Sequence, residues 1–415
     1  MAPTVHTLHN GLRVVLHPQK GAPLVAVNLW YAVGSKDERP GKTGFAHLFE
    51  HLMFEGSRDV KNHEHFLLLE RVGGMANGST WLDHTNYYET LAPEHLELAL
   101  FLESNRMGYL LDTLELKKLD GQREVVKNER RWRVDNRPYG IWDEKLYEMA
   151  FPAGHPYHHP VIGYIEDLDR ATLADVEAFF RAHYTPSNAV LTIAGGFEPH
   201  AARDLVEKHF GPIPGGRRPA PKPVPRGRRS DGGEAVVEDN VALPRVYLFY
   251  YAPAYGEASF FDAEAAAYVL GDGRSSLFHR ELVMEEGIAS ATAGWFFPAV
   301  GVSSLILSVT GRSGTPLGVL RNAVLRCLDR FRGRSLEEGE ALRARNLNLA
   351  ASLMQWESLT QRANLLSEAA TVFGDAGAAA DQQKGRKRVD RGSLQAFLRR
   401  TLAQPPILLG FKPCP

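Results

Sequence analysis

Cysteine is almost absent from this chain. Only Cys327 and Cys414 occur in 415 residues, and no C-x-x-C pair exists, which excludes a disulfide framework and a thiolate metal site. Any bound metal must therefore be held by histidine and carboxylate. Long apolar runs are missing as well, since none approaches the roughly 18 residues needed to span a bilayer. The N-terminus, Met1-Ala2-Pro3-Thr4-Val5-His6, has no charged stretch followed by an apolar one, so no export signal is read there. Nor is there a surplus of charge of one sign. The 48 basic and 49 acidic residues leave a net charge of -1, which gives no reason to expect nucleic acid or an anionic membrane as partner. The chain reads as soluble, in the cytoplasm or the periplasm.

What is present is an ordinary globular composition, 44% apolar and 23% charged. The length suits two domains of about 200 residues each. A boundary is visible where Pro212, Pro214, Pro219, Pro221, Pro223 and Pro225 crowd among Gly and Arg. Such a stretch is neither helix nor central strand. It reads as a linker over 215–233 between a first domain at 1–214 and a second at 234–415. Its arginines read as solvating charge rather than a nucleic-acid arm.

The two halves follow one grammar. In the first, β-rich runs at Leu12–Leu16 and Val25–Tyr31 precede helical patterns at Gly44–Phe54 and Asn62–Val72. Strand, turn and strand follow over Met75–Leu91, then helices over Pro93–Met107, Leu114–Val134 and Leu173–Tyr184, and a buried strand at Ala189–Ala194. The second half restarts with a strand at Val246–Tyr251, helices at Asp262–Leu270 and Ser276–Glu286, a strand at Ser304–Val309 and a helix at Leu317–Phe331. Repeated order at similar length implies an internal duplication.

The run with chemical content is His47-Leu48-Phe49-Glu50-His51. On a helix, positions i and i+4 share a face, so both imidazoles can point at one ion. Glu50, three residues after His47, can reach a water there without being a ligand. This H-x-x-E-H order inverts the more common H-E-x-x-H helix. A surface helix with two solvated histidines would read the same way, but apolar Phe45, Leu48, Phe49, Leu52, Met53 and Phe54 surround the pair and favour an ordered site. A catalytic zinc takes three protein ligands and keeps one position open. The third should be a carboxylate from another helix, and Glu124 and Glu129 are both available. They are five residues apart, on different faces, and spacing alone does not choose. His155, His158 and His159 sit among prolines and read as loop contacts, while His63 and His65 are too close in sequence to share a helix face.

These residues resemble a known family. His47 to His51, then Gly73-Gly74, then Asn77-Gly78-Ser79-Thr80 with Asp83, Thr85 and Tyr87, then Arg123-Glu124-Val125-Val126-Lys127-Asn128-Glu129, in this order, look like the pitrilysin-type peptidases. Length and duplication resemble the branch that includes mitochondrial processing peptidase and bacterial two-subunit peptidases. The resemblance covers nearly the whole chain and is strongest over residues 10–200. It implies an α+β fold of two homologous α/β-roll domains, each a mainly antiparallel sheet with helices on one face, together forming half of a clamshell. It implies zinc (Zn2+) held by His47, His51 and Glu129, with Glu50 as general base. It implies a substrate-binding edge strand at Asn77, Gly78, Ser79 and Thr80, which would pair with an extended peptide. The family often carries a glutamate where this chain has Gln122, and an amide there can hydrogen-bond a ligand but brings no charge.

One departure is larger. The family's second domain contributes an Arg and a Tyr near an L-R-E-E-x-G-L-A-Y segment. Here Leu282-Val283-Met284-Glu285-Glu286-Gly287-Ile288-Ala289-Ser290 puts Val283 or Met284 at the Arg and Ser290 at the Tyr. The expectation is a zinc metalloendopeptidase subunit acting on peptide substrates, with a homologous partner supplying Arg and Tyr in a heterodimer. The other readings are a non-catalytic assembly or core subunit of the same fold, and a self-sufficient homodimeric peptidase.

Overall fold

The structure, a computed structural model, describes residues 2–220, 222–226 and 232–414. Part of the expected linker, at 221 and 227–231, lies outside the described residues. Two compact units form. The first comprises the chain up to Arg130 with His159–Lys222 and Leu353–Asp381; the second comprises Arg131–His158, Pro223–Ser352 and the chain from Gln382 onward. The compact units thus depart from a linear division at 215–233 in two excursions of the chain. The physical reason is helix packing. The helix Leu359–Val372, late in sequence, covers one face of the first sheet, and the helix Trp142–Ala150, early in sequence, packs on the second.

The first unit holds six strands: β1 (Thr4–Thr7), β2 (Arg13–Pro18), β3 (Val25–Tyr31), β4 (Met75–Thr80), β5 (Thr85–Leu91) and β6 (Ala189–Gly195). They lie in the order β1-β2-β6-β3-β5-β4, with β2 and β6 parallel and the other pairs antiparallel. Four of its helices matter most here: α1 (Phe45–Leu52), α2 (Glu64–Glu70), α3 (Leu96–Tyr109) and α4 (Leu116–Arg130). Val14, Leu16, Val27 and Leu29 point to one face, where they join Phe45, Leu48, Phe49 and Leu52 of α1 in one core. Val15, Trp30 and Val190 point to the other, against Leu366, Ala369 and Ala370 of the late helix. A strand covered on both faces carries apolar residues without alternation, and all seven residues of β3 are buried.

The second unit holds β7 (Gly233–Asp239), β8 (Arg245–Ala252), β9 (Ala289–Phe297), β10 (Ser303–Gly311) and β11 (Ile407–Pro413), in the order β7-β11-β8-β10-β9. Its first strand pairs in parallel with its last, and the rest pair antiparallel. With β1 set aside, the first sheet has the same topology: first strand beside last, then second, fourth and third. The duplication read from sequence pattern is therefore present in strand order and direction, and the fold is α+β. The expected helix at Ser276–Glu286 is wider and shorter than read, a π-helical segment over His279–Glu285. Among the described residues, no helix is long and apolar enough to cross a membrane.

Candidate metal centre

The start of α1 is fixed by chemistry local to its N-terminus. Gly44 adopts φ +83°, and a Cβ there would lie 2.7 Å from the Ile162 carbonyl oxygen. The buried Glu38 carboxylate accepts hydrogen bonds from the Gly44 and Ala46 N–H groups at 2.8 Å each. These satisfy donors that a helix start leaves open. Phe49, on the apolar stripe, stacks on Phe179 and Tyr184. The polar stripe is left to carry His47 and His51.

Those two imidazoles meet Glu129 of α4. Glu129 Oε2 lies 3.7 Å from His47 Nε2 and 3.2 Å from His51 Nε2. All three candidate ligand atoms fall within 4.8 Å of one another. Tetrahedral zinc, with bonds of about 2.0–2.1 Å, places its ligand atoms roughly 3.4 Å apart. Two imidazoles and one carboxylate at these spacings fit a single zinc ion. His47 is buried while His51 and Glu129 are partly exposed, so the centre has a side accessible to water. Spacing left Glu124 and Glu129 open. In the structure Glu124 is exposed, its carboxylate accepting from Lys127 Nζ at 2.8 Å, and Glu129 is the one beside the histidines.

Glu50 is held against β4. Thr80 Oγ1 donates to Glu50 Oε2 at 2.7 Å. A Cβ on Gly78 would sit 2.9 Å from Glu50 Cγ and 3.3 Å from the Tyr87 ring. Glycine at 78 is what lets the Glu50 side chain lie along the strand. Asn77 Oδ1 accepts from the Gly78 N–H at 2.8 Å, and Ser79 Oγ donates to Asn86 Oδ1 at 2.6 Å. All four residues lie within β4, at the edge of its sheet, where β5 is its only strand neighbour among the described residues. An edge strand offers one row of backbone donors and acceptors for pairing with another chain.

Gln122 Nε2 donates at 2.8 Å to Oε1 of Glu55, a buried carboxylate that sequence reasoning passed over. The signal was there: Glu55 follows His47 and His51 at the same four-residue spacing. The loop histidines behave as read, His155 and His158 each bonding a backbone carbonyl, of Pro225 and Phe151. At the departure in the second unit, Val283 packs partly buried on the core and Met284 is 71% exposed. Ser290 donates its hydroxyl to the Thr310 and Gly311 carbonyls, and the nearby Arg280 is engaged with Glu340.

A second group, His65, Glu89 and Glu103, also brings three ligand atoms within 4.8 Å. It is an ion-pair network. Arg106 donates through Nε at 2.9 Å and through its second nitrogen to the two Glu103 oxygens, and its guanidinium lies 4.3 Å from the Tyr87 ring centre. Arg106 supplies the cation that a metal would supply. Burial pushes the Glu103 carboxyl up to about 7, against the pull of Arg106 and with the Glu89 charge adding to the rise. Burial pushes the Glu89 carboxyl up to about 7, against the pull of Arg106, and burial pushes His65, 2.9 Å away, down to about 3. A raised folded-state value means that the fold holds a proton which the unfolded chain releases near pH 4.5. The Glu89 contribution is therefore complete below that pH and is lost as pH rises to 7, an effect of about 3 kcal/mol. His65 acts in the opposite sense at lower pH; Glu89→Gln keeps His65, removes the Glu89 titration, and also relieves the part of the Glu103 rise that comes from the Glu89 charge. Thermal unfolding of both proteins from pH 5 to 8 should show the variant gaining on the wild type as pH rises. A constant difference would mean that Glu89 titrates normally.

Residues 13–161 match Insulinase (Peptidase family M16), and residues 170–348 match the Peptidase M16 inactive domain. Zinc protease PqqE of Helicobacter pylori is 30% identical over 366 residues, covering 87% of this chain and 82% of that protein. The crystal structure of a protease from Helicobacter pylori superposes with a TM-score of 0.89 at 28% identity, covering 100% of both chains. A peptidase M16 inactive domain from Pseudomonas fluorescens superposes at 0.88 with 16% identity, covering 100% of this chain and 99% of that one, a likeness of fold. The duplicated fold with an H-x-x-E-H helix is that of a peptidase family whose named relatives are zinc proteases. The chain belongs to peptidase family M16.

Proposed function

We propose that this chain is the zinc-bearing subunit of a two-subunit metalloendopeptidase that hydrolyses extended peptides. The observation that carries this reading is the convergence of His47, His51 and Glu129 beside Glu50, which Thr80 ties to an open sheet edge. His47, His51 and Glu129 would hold the ion. Bound zinc supplies Lewis acidity, acidifying a water and polarising the scissile carbonyl. Glu50 takes the water proton and passes it to the leaving amine. Thr80 Oγ1 donates to one Glu50 oxygen and so fixes the orientation of the carboxylate. Asn77 to Thr80 hold the peptide extended by backbone pairing, which tolerates many sequences. A homologous subunit provides the Arg and Tyr that Val283, Met284 and Ser290 do not.

Metal analysis of the purified chain tests the centre. One zinc per chain is expected, and His51→Ala should lose it. Glu129→Gln should weaken binding strongly, because it replaces an anionic ligand with a neutral amide. Glu124→Gln should change little, since that carboxylate faces Lys127 in solvent. The opposite ranking of the two glutamates, or full zinc retention in both His47→Ala and His51→Ala, would refute the assignment.

A further inference from the structure

The polar stripe that begins with His47 and His51 continues to Glu55 in the turn after α1. The Glu55 N–H donates to the Leu52 carbonyl at 3.0 Å. The turn then closes at Gly56, at φ +89°, where a Cβ would lie 2.8 Å from the Val60 carbonyl oxygen. On α4, Gln122 lies seven residues before Glu129, two turns along the same face. As residue numbers rise from His51 to Glu55 they fall from Glu129 to Gln122. The two segments therefore run antiparallel and are joined by two rungs. One is the ligand set, with Glu129 Oε2 3.2 Å from His51 Nε2. The other is the 2.8 Å bond from Gln122 to Glu55. Glu55 is 8% exposed, so this bond is made largely out of water, where a charge-assisted hydrogen bond is strong.

We propose that Glu55 and Gln122 are positioning residues of the metal centre, their hydrogen bond setting the separation and register of the two segments that carry the ligands. Neither touches the reacting atoms. A carboxylate accepts and an amide N–H donates, so the rung has one polarity, and it survives an exchange of the two residues. Its charge, on the histidine stripe, is of the sign that favours a dication. The proposal rests on the zinc reading above.

The experiment measures zinc affinity of the full chain by competition with a chromophoric chelator, alongside the unfolding midpoint of the metal-free protein. Glu55→Ala and Gln122→Ala should each weaken zinc binding about tenfold or more, the range for outer partners of metal ligands. The double variant should lose no more than the worse single one, because both changes delete one bond. The exchange Glu55→Gln with Gln122→Glu should recover most of the affinity. Unchanged affinity in both single variants, fully additive losses, or a loss of metal-free stability with affinity intact would overturn the proposal while the zinc reading stands. If His51→Ala binds zinc as tightly as the unaltered chain, the zinc reading falls, and this proposal falls with it.

Discussion

Glu50→Gln is expected to abolish most peptide cleavage while zinc binding stays intact. The amide has nearly the shape of the carboxylate and keeps an oxygen to accept the hydrogen bond from Thr80 Oγ1, 2.7 Å away in the structure. The place beside Gly78 that accommodates the side chain is unchanged. What is lost is the ability to take a proton. A positioned general base contributes roughly 10²–10⁴-fold, and the loss should fall in that range. The assay is turnover of a fluorogenic peptide at matched zinc occupancy, with the same partner subunit present in both measurements. Turnover within a factor of about 3 of the unaltered protein would remove Glu50 from the role of base. Loss of zinc together with activity would instead make Glu50 part of the ligand set, against the geometry of His47, His51 and Glu129.

The parts of this centre that could be read in the sequence are those encoded at helical spacing. His47, Glu50 and His51 needed only the i, i+3, i+4 rule and an apolar surround. Glu129 could not be separated from Glu124 by spacing, because the rotation of α4 against α1 is a tertiary fact; the approach of Glu129 to both histidines is what resolves it. The Gln122–Glu55 bond joins residues 67 apart, so the four-residue spacing of Glu55 after His51 marks one partner and nothing local marks the pairing. The same limit applies to the fold. Val25–Tyr31 was legible as a strand, but what covers its second face, the helix Leu359–Val372, comes from more than 300 residues later. That crossing is also why compact units and linear domains differ, since a Pro-rich stretch marks where the chain bends and does not record where each helix docks. The His65–Glu89–Glu103–Arg106 network was invisible for a related reason. Its members lie on α2, β5 and α3, and only the fold makes them neighbours.

The largest effect is expected from the partner. Purified alone and fully loaded with zinc, this chain should bind peptide and cleave it slowly. The positions where the family carries its Arg and Tyr hold Val283, packed on the core, the exposed Met284, and Ser290, whose hydroxyl is spent on the Thr310 and Gly311 carbonyls. None of these can reach a developing oxyanion with a charge-assisted donor, and Arg280 close by is held by Glu340. Each preorganised donor missing from such a site costs roughly 3–4 kcal/mol of barrier, or 10²–10³-fold in rate. A second copy of this chain has the same residues and cannot repair the deficit. A homologous subunit with Arg and Tyr at these positions and no H-x-x-E-H should restore turnover by at least 10²-fold, and mostly in kcat, because the donors act on charge that develops in the transition state. The measurement compares kcat for this chain alone, for the chain with candidate partners, and for the pair with the partner's Arg or Tyr replaced, all at equal zinc content. Rapid cleavage by the pure single chain would refute the two-subunit reading and would require donors elsewhere in its own second unit. Restoration by a partner that lacks both residues would show that enclosure, rather than oxyanion stabilisation, is what the second subunit supplies.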